Sequence, residues 1–277
     1  MKTVLVPVEQ HAFMRSVLDV ALLVADRFGS HVEGLALGPD LPDAGTFDIP
    51  ASWAVLSETE QRDMVERARH LFETFMMSCA IPAQSDASEG ASYSWAGPQL
   101  FGESRVGSFG RVFDLMVLGR PGQRHEPPRM TTVEAALFES GRPVLLVPPS
   151  SPGSVGETIV IAWNGSTETA RTVALGMPML SRAQRVFILT VEGWRVEGPS
   201  GEELASRLRR HDIAAEVVSR NMQSRTAGEV ILEQAAQLRA DLLFKGAYTQ
   251  SRLRQMIFGG ATTHILTHAK LPIFMAH

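Results

Sequence analysis

ETIVIAWNG, Glu157–Gly165, is an apolar run rich in β-branched residues that stops in a polar turn and gives way to a helical pattern at Thr167. Continuous apolar runs of this kind suit strands of a parallel sheet buried on both faces, because there is no solvent face to call for alternation. The same pattern opens the chain. KTVLVPVEQ, Lys2–Gln10, is again apolar, again ends in a polar turn, and again leads into a helical segment. Aligning Thr3 with Thr158 sets Glu9 opposite Asn164.

The correspondence continues along both halves of the 277 residues. VFDLMVLGRPG (112–122) matches RADLLFKGAYT (239–249), with Asp114 opposite Asp241 and Gly119 opposite Gly246. GRPVLLVPP (141–149) matches AKLPIFMAH (269–277), each a short strand introduced by a proline, Pro143 or Pro272. Three matches in the same order identify an internal duplication. The separation of matched positions falls from 155 residues at the first pair to 127 at the second, so the first half carries 28 more residues. Their expected place is the Pro-, Gly- and Asp-rich stretch Gly38–Glu58. PPSSPGSVGE (148–157) reads as the linker, which gives expected domains at 1–149 and 157–277.

Within the second half, strands are expected at 158–163, 185–191, 215–220, 241–245 and 271–276. Helices are expected at 167–180, 201–211, 227–238 and 260–268. Strands alternating with helices make βαβ units, so each half is expected to be an α/β domain with a five-stranded, doubly wound, open parallel sheet. Ligands of such sheets sit at the carboxyl ends of the strands, where the strand order reverses. The residues just after strands therefore matter most. A proline-led apolar strand closing each half would leave an exposed edge, and pairing VLLVP with IFMAH would cover both, making an internal pseudo-dimer.

Composition narrows the partners. Net charge is −4 and charged residues make up 20% of the chain, so no global basic field draws it to nucleic acid or to an anionic membrane. One cysteine, Cys79, cannot form an intrachain disulfide, no secretory leader is legible in the first residues, and no run approaches a membrane span. The expected compartment is the cytoplasm.

GAYTQSRLRQMIFGGATTHIL (246–266) is the stretch that carries ligand chemistry. Gly246 follows the apolar DLLFK, Thr249 comes three residues later, and Gly259 and Gly260 stand where a helix begins with Ala261 and Thr262. Amides at a helix N-terminus, unshielded at glycines, can hold phosphate oxygens, and Arg252 and Arg254 add charge. The same spacing also fits a turn followed by close helix packing. It is neither a Walker A motif nor a G-x-G-x-x-G fingerprint.

The pattern Gly-x2-Gly-x9-Gly-Ser/Thr after the fourth strand resembles the nucleotide motif of the universal stress protein family, and the two repeats together resemble its tandem members. The likeness is strong in the second half, weak in the first. It implies an adenine nucleotide alpha hydrolase-like fold, an adenine nucleotide such as ATP as ligand, and a role in stress response. It places Ala162 and Asn164 against the adenosine, and Gly246, Thr249, Arg252, Gly259, Gly260, Ala261 and Thr262 around the ribose and phosphates. Three positions depart from the family pattern: Thr249 for glycine, Gly260 for Ser or Thr, and Asn164 for Asp. In the first half Gly119 and Gly122 keep Gly-x2-Gly, but Met130 stands at the equivalent of Gly259, and Pro127 and Pro128 interrupt the loop. That half is expected to be a structural partner without a phosphate cradle.

No catalytic constellation and no metal site is expected. His264 and His268, four residues apart, lack a third ligand nearby in sequence and are read as solvated or capping. Ser166 is read as a helix N-cap, His211 as a helix end, and the twelve methionines as core or interface fillers. The leading expectation is a nucleotide-binding stress regulator or sensor, with homodimers and an unidentified protein partner among its contacts. The alternative is a scaffold of the same fold that holds no nucleotide, and ATP hydrolysis is the weakest reading because no general base or magnesium carboxylate can be named.

Overall fold

The computed structural model describes residues 1–39, 56–83, 90–122, 127–247 and 260–277. In the first half the order is β1 (Thr3–Val8), α1 (Met14–Phe28), β2 (His31–Leu37), α2 (Glu58–Ser78), β3 (Ser92–Phe101), α3 (Glu103–Phe109), β4 (Leu115–Gly119), α4 (Met130–Glu139) and β5 (Val144–Val147). In the second it is β6 (Thr158–Ala162), α5 (Thr167–Leu175), α6 (Met177–Leu180), β7 (Arg185–Glu192), α7 (Gly201–Arg209), β8 (Ala215–Asn221), α8 (Ala227–Gln237), β9 (Leu242–Gly246), α9 (Gly260–His268) and β10 (Ile273–Ala276).

Among the described residues ten strands form one sheet in the order β3-β2-β1-β4-β5-β10-β9-β6-β7-β8. Pairing is parallel within each half and antiparallel only where β5 meets β10. The seam register pairs Leu145 with Phe274, Val144 with Met275 and Leu146 with Ile273. Since Pro143 matches Pro272, Leu145 and Phe274 are equivalent residues, and the other two pairs exchange with one another. The seam is thus self-complementary, as in an isologous dimer, but within one chain. Each closing strand covers the other's edge, as the apolar VLLV and IFMA runs require.

Alternation along the strands feeds two cores. Val4, Val6, Ile159 and Ile161 point to one face, under α1, α2, α5 and α7, whereas Leu5, Val160 and Ala162 point to the other, under α3, α4, α8 and α9. Each fully buried Leu, Ile or Phe contributes roughly 1.5–3 kcal/mol of transfer free energy. Two capping boxes set the starts of α7 (Ser200, Glu203) and α8 (Thr226, Glu229).

The matched aspartates have the same job in both halves. Asp114 accepts hydrogen bonds from the Lys2 and Thr3 amides, and Asp241 from the Gly156, Glu157 and Thr158 amides and the Ser154 hydroxyl. Each ties the end of one half's third crossover to the start of its first strand. Burial pushes the Asp114 carboxyl up, but the Lys2 and Thr3 amides, the chain N-terminus and Arg142 outweigh it and hold the carboxyl below its usual range.

Two expectations are corrected. The helix read as continuous over 167–180 breaks at Gly176: a Cβ there would stand 2.1 Å from the Phe244 ring, and Pro178 in the first turn of α6 brings no N–H to continue the ladder. The additional length of the first half does not lie only in the loop over 38–58. Residues 40–55 are outside the described residues, while α2 runs 21 residues against 9 in α7. Much of the insertion is therefore helix, started by its own capping box of Ser57 and Glu60.

Candidate functional site

In the second half the chain goes from β6 outward through β7 to β8, then returns to β9 on the other side of β6. Strand order reverses between β6 and β9, so the carboxyl ends of these two strands define the crevice where ligands of open α/β sheets bind.

At the end of β6, Ala162 is fully buried, its methyl on the α8–α9 face. Trp163 follows, its indole N–H donating to the Pro199 carbonyl at 2.9 Å. Asn164 is 4% exposed. Its side-chain oxygen accepts from the Ser166 amide (3.2 Å) and the Thr169 hydroxyl (2.8 Å). Its carbonyl accepts from the Val196 amide at 2.9 Å. Gly165 has φ +84, and the segment after β7 packs on it so tightly that a Cβ at Gly198 would stand 2.3 Å from the Gly165 oxygen. Ser166 is the N-cap of α5, accepting from the Thr169 amide at 3.2 Å, as its sequence position implies.

At the end of β9, Gly246 abuts the first turn of α5: a Cβ would lie 2.5 Å from the Thr169 nitrogen and 2.7 Å from the Glu168 carbonyl carbon. Glycine is required here by packing. The residue before it is the one that sequence reading passed over. Lys245 is 5% exposed, its ammonium donating to the Gly246 carbonyl at 2.7 Å and standing 5.9 Å from the centre of the Trp194 ring. Burial lowers its pKa to about 8, with Glu168 acting in the opposite sense. A lysine inside the otherwise apolar DLLFKG was the available signal.

α9 opens with Gly260, Ala261 and Thr262, and packs on α8 where Gly228 leaves room for the Ala261 carbonyl and His264. A crossover helix runs against its strands, so the first turn of α9 lies at the same edge as the ends of β6 and β9. Ala162, Asn164 and Gly246 are thus at adjacent strand ends, with Gly260, Ala261 and Thr262 on the helix that returns from them. Thr249, Arg252, Arg254 and Gly259 lie outside the described residues.

The first half differs at the equivalent place. Pro128 lies over Gly119, where a Cβ would be 2.4 Å from its Cγ, and the Gly122 amide donates to the Pro128 carbonyl at 3.0 Å. Met130 begins α4. Glu9 is 8% exposed; burial raises its pKa to about 7, Arg129 opposing and Glu103 adding to the rise. Arg129 pairs with Glu103 at 3.1 Å. Nearby in sequence, burial lowers His11 to about 4. Sequence reading matched Glu9 to Asn164 but gave no sign of this cluster, whose members come from the end of β1, the start of α3 and the N-cap of α4.

Residues 157–277 match the model of the universal stress protein family. This half is a universal stress protein domain. No curated protein matches the chain in sequence. Among solved structures, a universal stress protein from Archaeoglobus fulgidus DSM 4304 superposes with a TM-score of 0.67 at 14% identity, over 99% of this chain and 97% of that one. A functionally unknown protein from Pseudomonas aeruginosa PAO1 gives a TM-score of 0.56 at 11% identity, over 100% and 92%. The cytoplasmic domain of a prokaryotic cation chloride cotransporter gives 0.51 at 12% identity, over 99% and 95%. At these identities the likeness is one of fold, and it spans both halves.

Among the described residues no group of three or more His, Cys, Asp or Glu is placed to hold a metal. His264 and His268 stack at 4.3 Å, the His268 Nδ1 lying 3.0 Å from the His264 carbonyl oxygen. Among the described residues no helix is long and apolar enough to cross a membrane.

Proposed function

We propose that the chain is a tandem universal stress protein of the cytoplasm, with domains at 1–149 and 157–277, whose second domain binds an adenine nucleotide at the β6–β9 crevice and which acts as a stress-response regulator or sensor rather than a catalyst. The observation that carries this reading is the convergence, within the half that matches the family, of Ala162, Asn164 and Gly246 at adjacent strand ends below the first turn of α9. The α9 amides offer partial positive charge to a phosphate. Thr249, Arg252, Gly259 and Gly260 complete the motif in sequence, and ATP is the ligand that motif fits. The first domain, with Pro128 over Gly119, is the structural partner across the seam. Two chains associating further as a homodimer would fit the same reading.

A second reading, a scaffold of the same fold without nucleotide, draws on two observations. The side-chain oxygen of Asn164 is already committed to the Ser166 amide and the Thr169 hydroxyl at the start of α5, and Gly246 is accounted for by packing alone. Acid extraction of the purified chain followed by nucleotide chromatography, then calorimetry with ATP and AMP, separates the two. Released adenine nucleotide or a titratable ATP signal supports the first reading. Silence in both assays leaves the scaffold. If ATP binds, Thr249→Gly is expected to tighten it by removing a methyl from the path of the backbone.

A further inference from the structure

The first turn of α9 is not the only feature of this crevice that calls for an anion. Lys245 is a buried cation with no close ion-pair partner among the described residues: Glu168 acts on it only from beyond ion-pair distance, and the hydrogen bond described for its ammonium goes to the carbonyl of its own neighbour, Gly246. An ammonium carries three donors. Burying a charge that is not paired is costly, and proteins that keep one commonly use it on a ligand. Trp194 presents its ring to the same ammonium at 5.9 Å, which holds the cation in place without neutralising it. The location is specific: Lys245 is the penultimate residue of β9, beside β6, where strand order reverses, and its repeat equivalent in the first half is the apolar Leu118. At this strand position, therefore, the second half carries a cation and the first half an apolar side chain.

We propose that Lys245 is the specificity-determining residue of the second-half crevice, supplying the counter-charge for a phosphoryl group and making the site select phosphorylated ligands over the uncharged nucleoside. This rests on the nucleotide reading above and adds to it the residue that sets charge selectivity. The burial that lowers the ammonium's pKa to about 8 is the expected state of such a group before its anion arrives. Lys245 also offsets the departures at Thr249 and Gly260: a cation fixed at the strand end does not depend on the backbone approach that a glycine at 249 would allow.

The test is calorimetry on the full chain at pH 7 and fixed ionic strength, titrating ATP, adenosine and inorganic tripolyphosphate into the unaltered protein, Lys245→Met and Lys245→Gln, with melting curves to verify that each variant is folded. A charge-assisted contact corresponds to about tenfold or more in affinity. The expected result is ATP binding about tenfold or more tighter than adenosine in the unaltered protein, a ratio collapsing toward one in both variants, and tripolyphosphate competing with ATP only when Lys245 is present. ATP binding unchanged within about twofold in the variants overturns the role of Lys245 and leaves the nucleotide reading standing. Tripolyphosphate binding that depends on Lys245, with no gain from the adenosine moiety, sinks the nucleotide reading and leaves the phosphoryl anchor. If the unaltered protein binds neither ATP nor tripolyphosphate, both are overturned, whatever the variants do.

Discussion

Replacing Gly246 by alanine should damage the fold, whereas the same change at Gly260 should not, and the contrast follows from what a methyl would meet. At Gly246 the added Cβ would lie 2.5 Å from the Thr169 nitrogen, 2.7 Å from the Glu168 carbonyl carbon and 2.8 Å from the Thr169 hydroxyl. Two of these are backbone atoms of the first turn of α5, so no flexible side chain can yield. Carbon contacts settle near 3.5–4.0 Å, and α5 would have to retreat by about an ångström. Overpacking of this kind costs about 1–3 kcal/mol, and the retreat strains Thr169, whose amide and hydroxyl bond Ser166 and Asn164 at about 1 kcal/mol each. Against this, the alanine restricts the unfolded chain by about 0.4–1 kcal/mol. The net expectation is a loss of roughly 2–3 kcal/mol, or about 4–10 °C in Tm for a chain of this size. At Gly260 no described atom lies within 4 Å of the Cβ position, and alanine favours the helix by up to about 1 kcal/mol, so Tm should stay or rise slightly. Differential scanning calorimetry on the two variants reads both numbers. Gly246→Ala melting with the unaltered protein would mean that β9 and α5 do not meet as described, and would remove the packing explanation of this glycine.

Other perturbations follow from the same contacts. Glu9, raised to about 7 in the fold from an ordinary value of 4.5, holds a proton between these pH values that the unfolded chain has released, so its contribution is present at low pH and lost as pH rises through 7. Glu9→Gln should therefore gain on the unaltered protein between pH 5 and pH 8, by at most roughly 3 kcal/mol in urea denaturation, and a difference independent of pH would refute the buried carboxyl. Asp241→Ala should cost about 2–4 kcal/mol, more than Asp114→Ala, because it strands three amides and a hydroxyl where Asp114 serves two amides; chemical denaturation giving the reverse order would contradict the capping roles. Phe274→Ala empties a fully buried place at the seam, where the ring stacks on Phe244 at 4.6 Å, and should lower stability by about 3–5 kcal/mol in the same assay.

Much of the architecture is legible because it is written locally. Paired apolar runs ending in turns give the strands, the Asp114–Asp241 and Pro143–Pro272 matches give the duplication, and the apolar closing strands predict the seam. What escapes is set by residues distant in sequence. The break at Gly176 depends on a phenylalanine 68 positions later, and nothing around GMPML shows it except Pro178. Gly246 reads equally as phosphate loop or as packing until the first turn of α5 is placed against it. Lys245 reads as the ordinary end of a strand, and becomes a buried, unpaired cation only when Trp194 and the strand order enclose it. Glu9 likewise owes its raised pKa to burial, with Glu103 of α3 adding to the rise and Arg129 ahead of α4 opposing it, none of which is visible from its neighbours in the chain. The long α2 was legible in its Ser57–Glu60 capping box, but the loop-like composition ahead of it drew the insertion elsewhere.

Equilibrium dialysis of labelled ATP against the full chain measures how many nucleotides one molecule holds. Two unlike halves, one with Lys245 and the α9 amides at its switch point and one with Pro128 closed over Gly119, should give one ATP per chain, and that one should disappear in Lys245→Met at ligand concentrations that fill the unaltered protein. A stoichiometry of two would mean that the first half binds as well, and a stoichiometry of zero would mean that the crevice between β6 and β9 is not a nucleotide site.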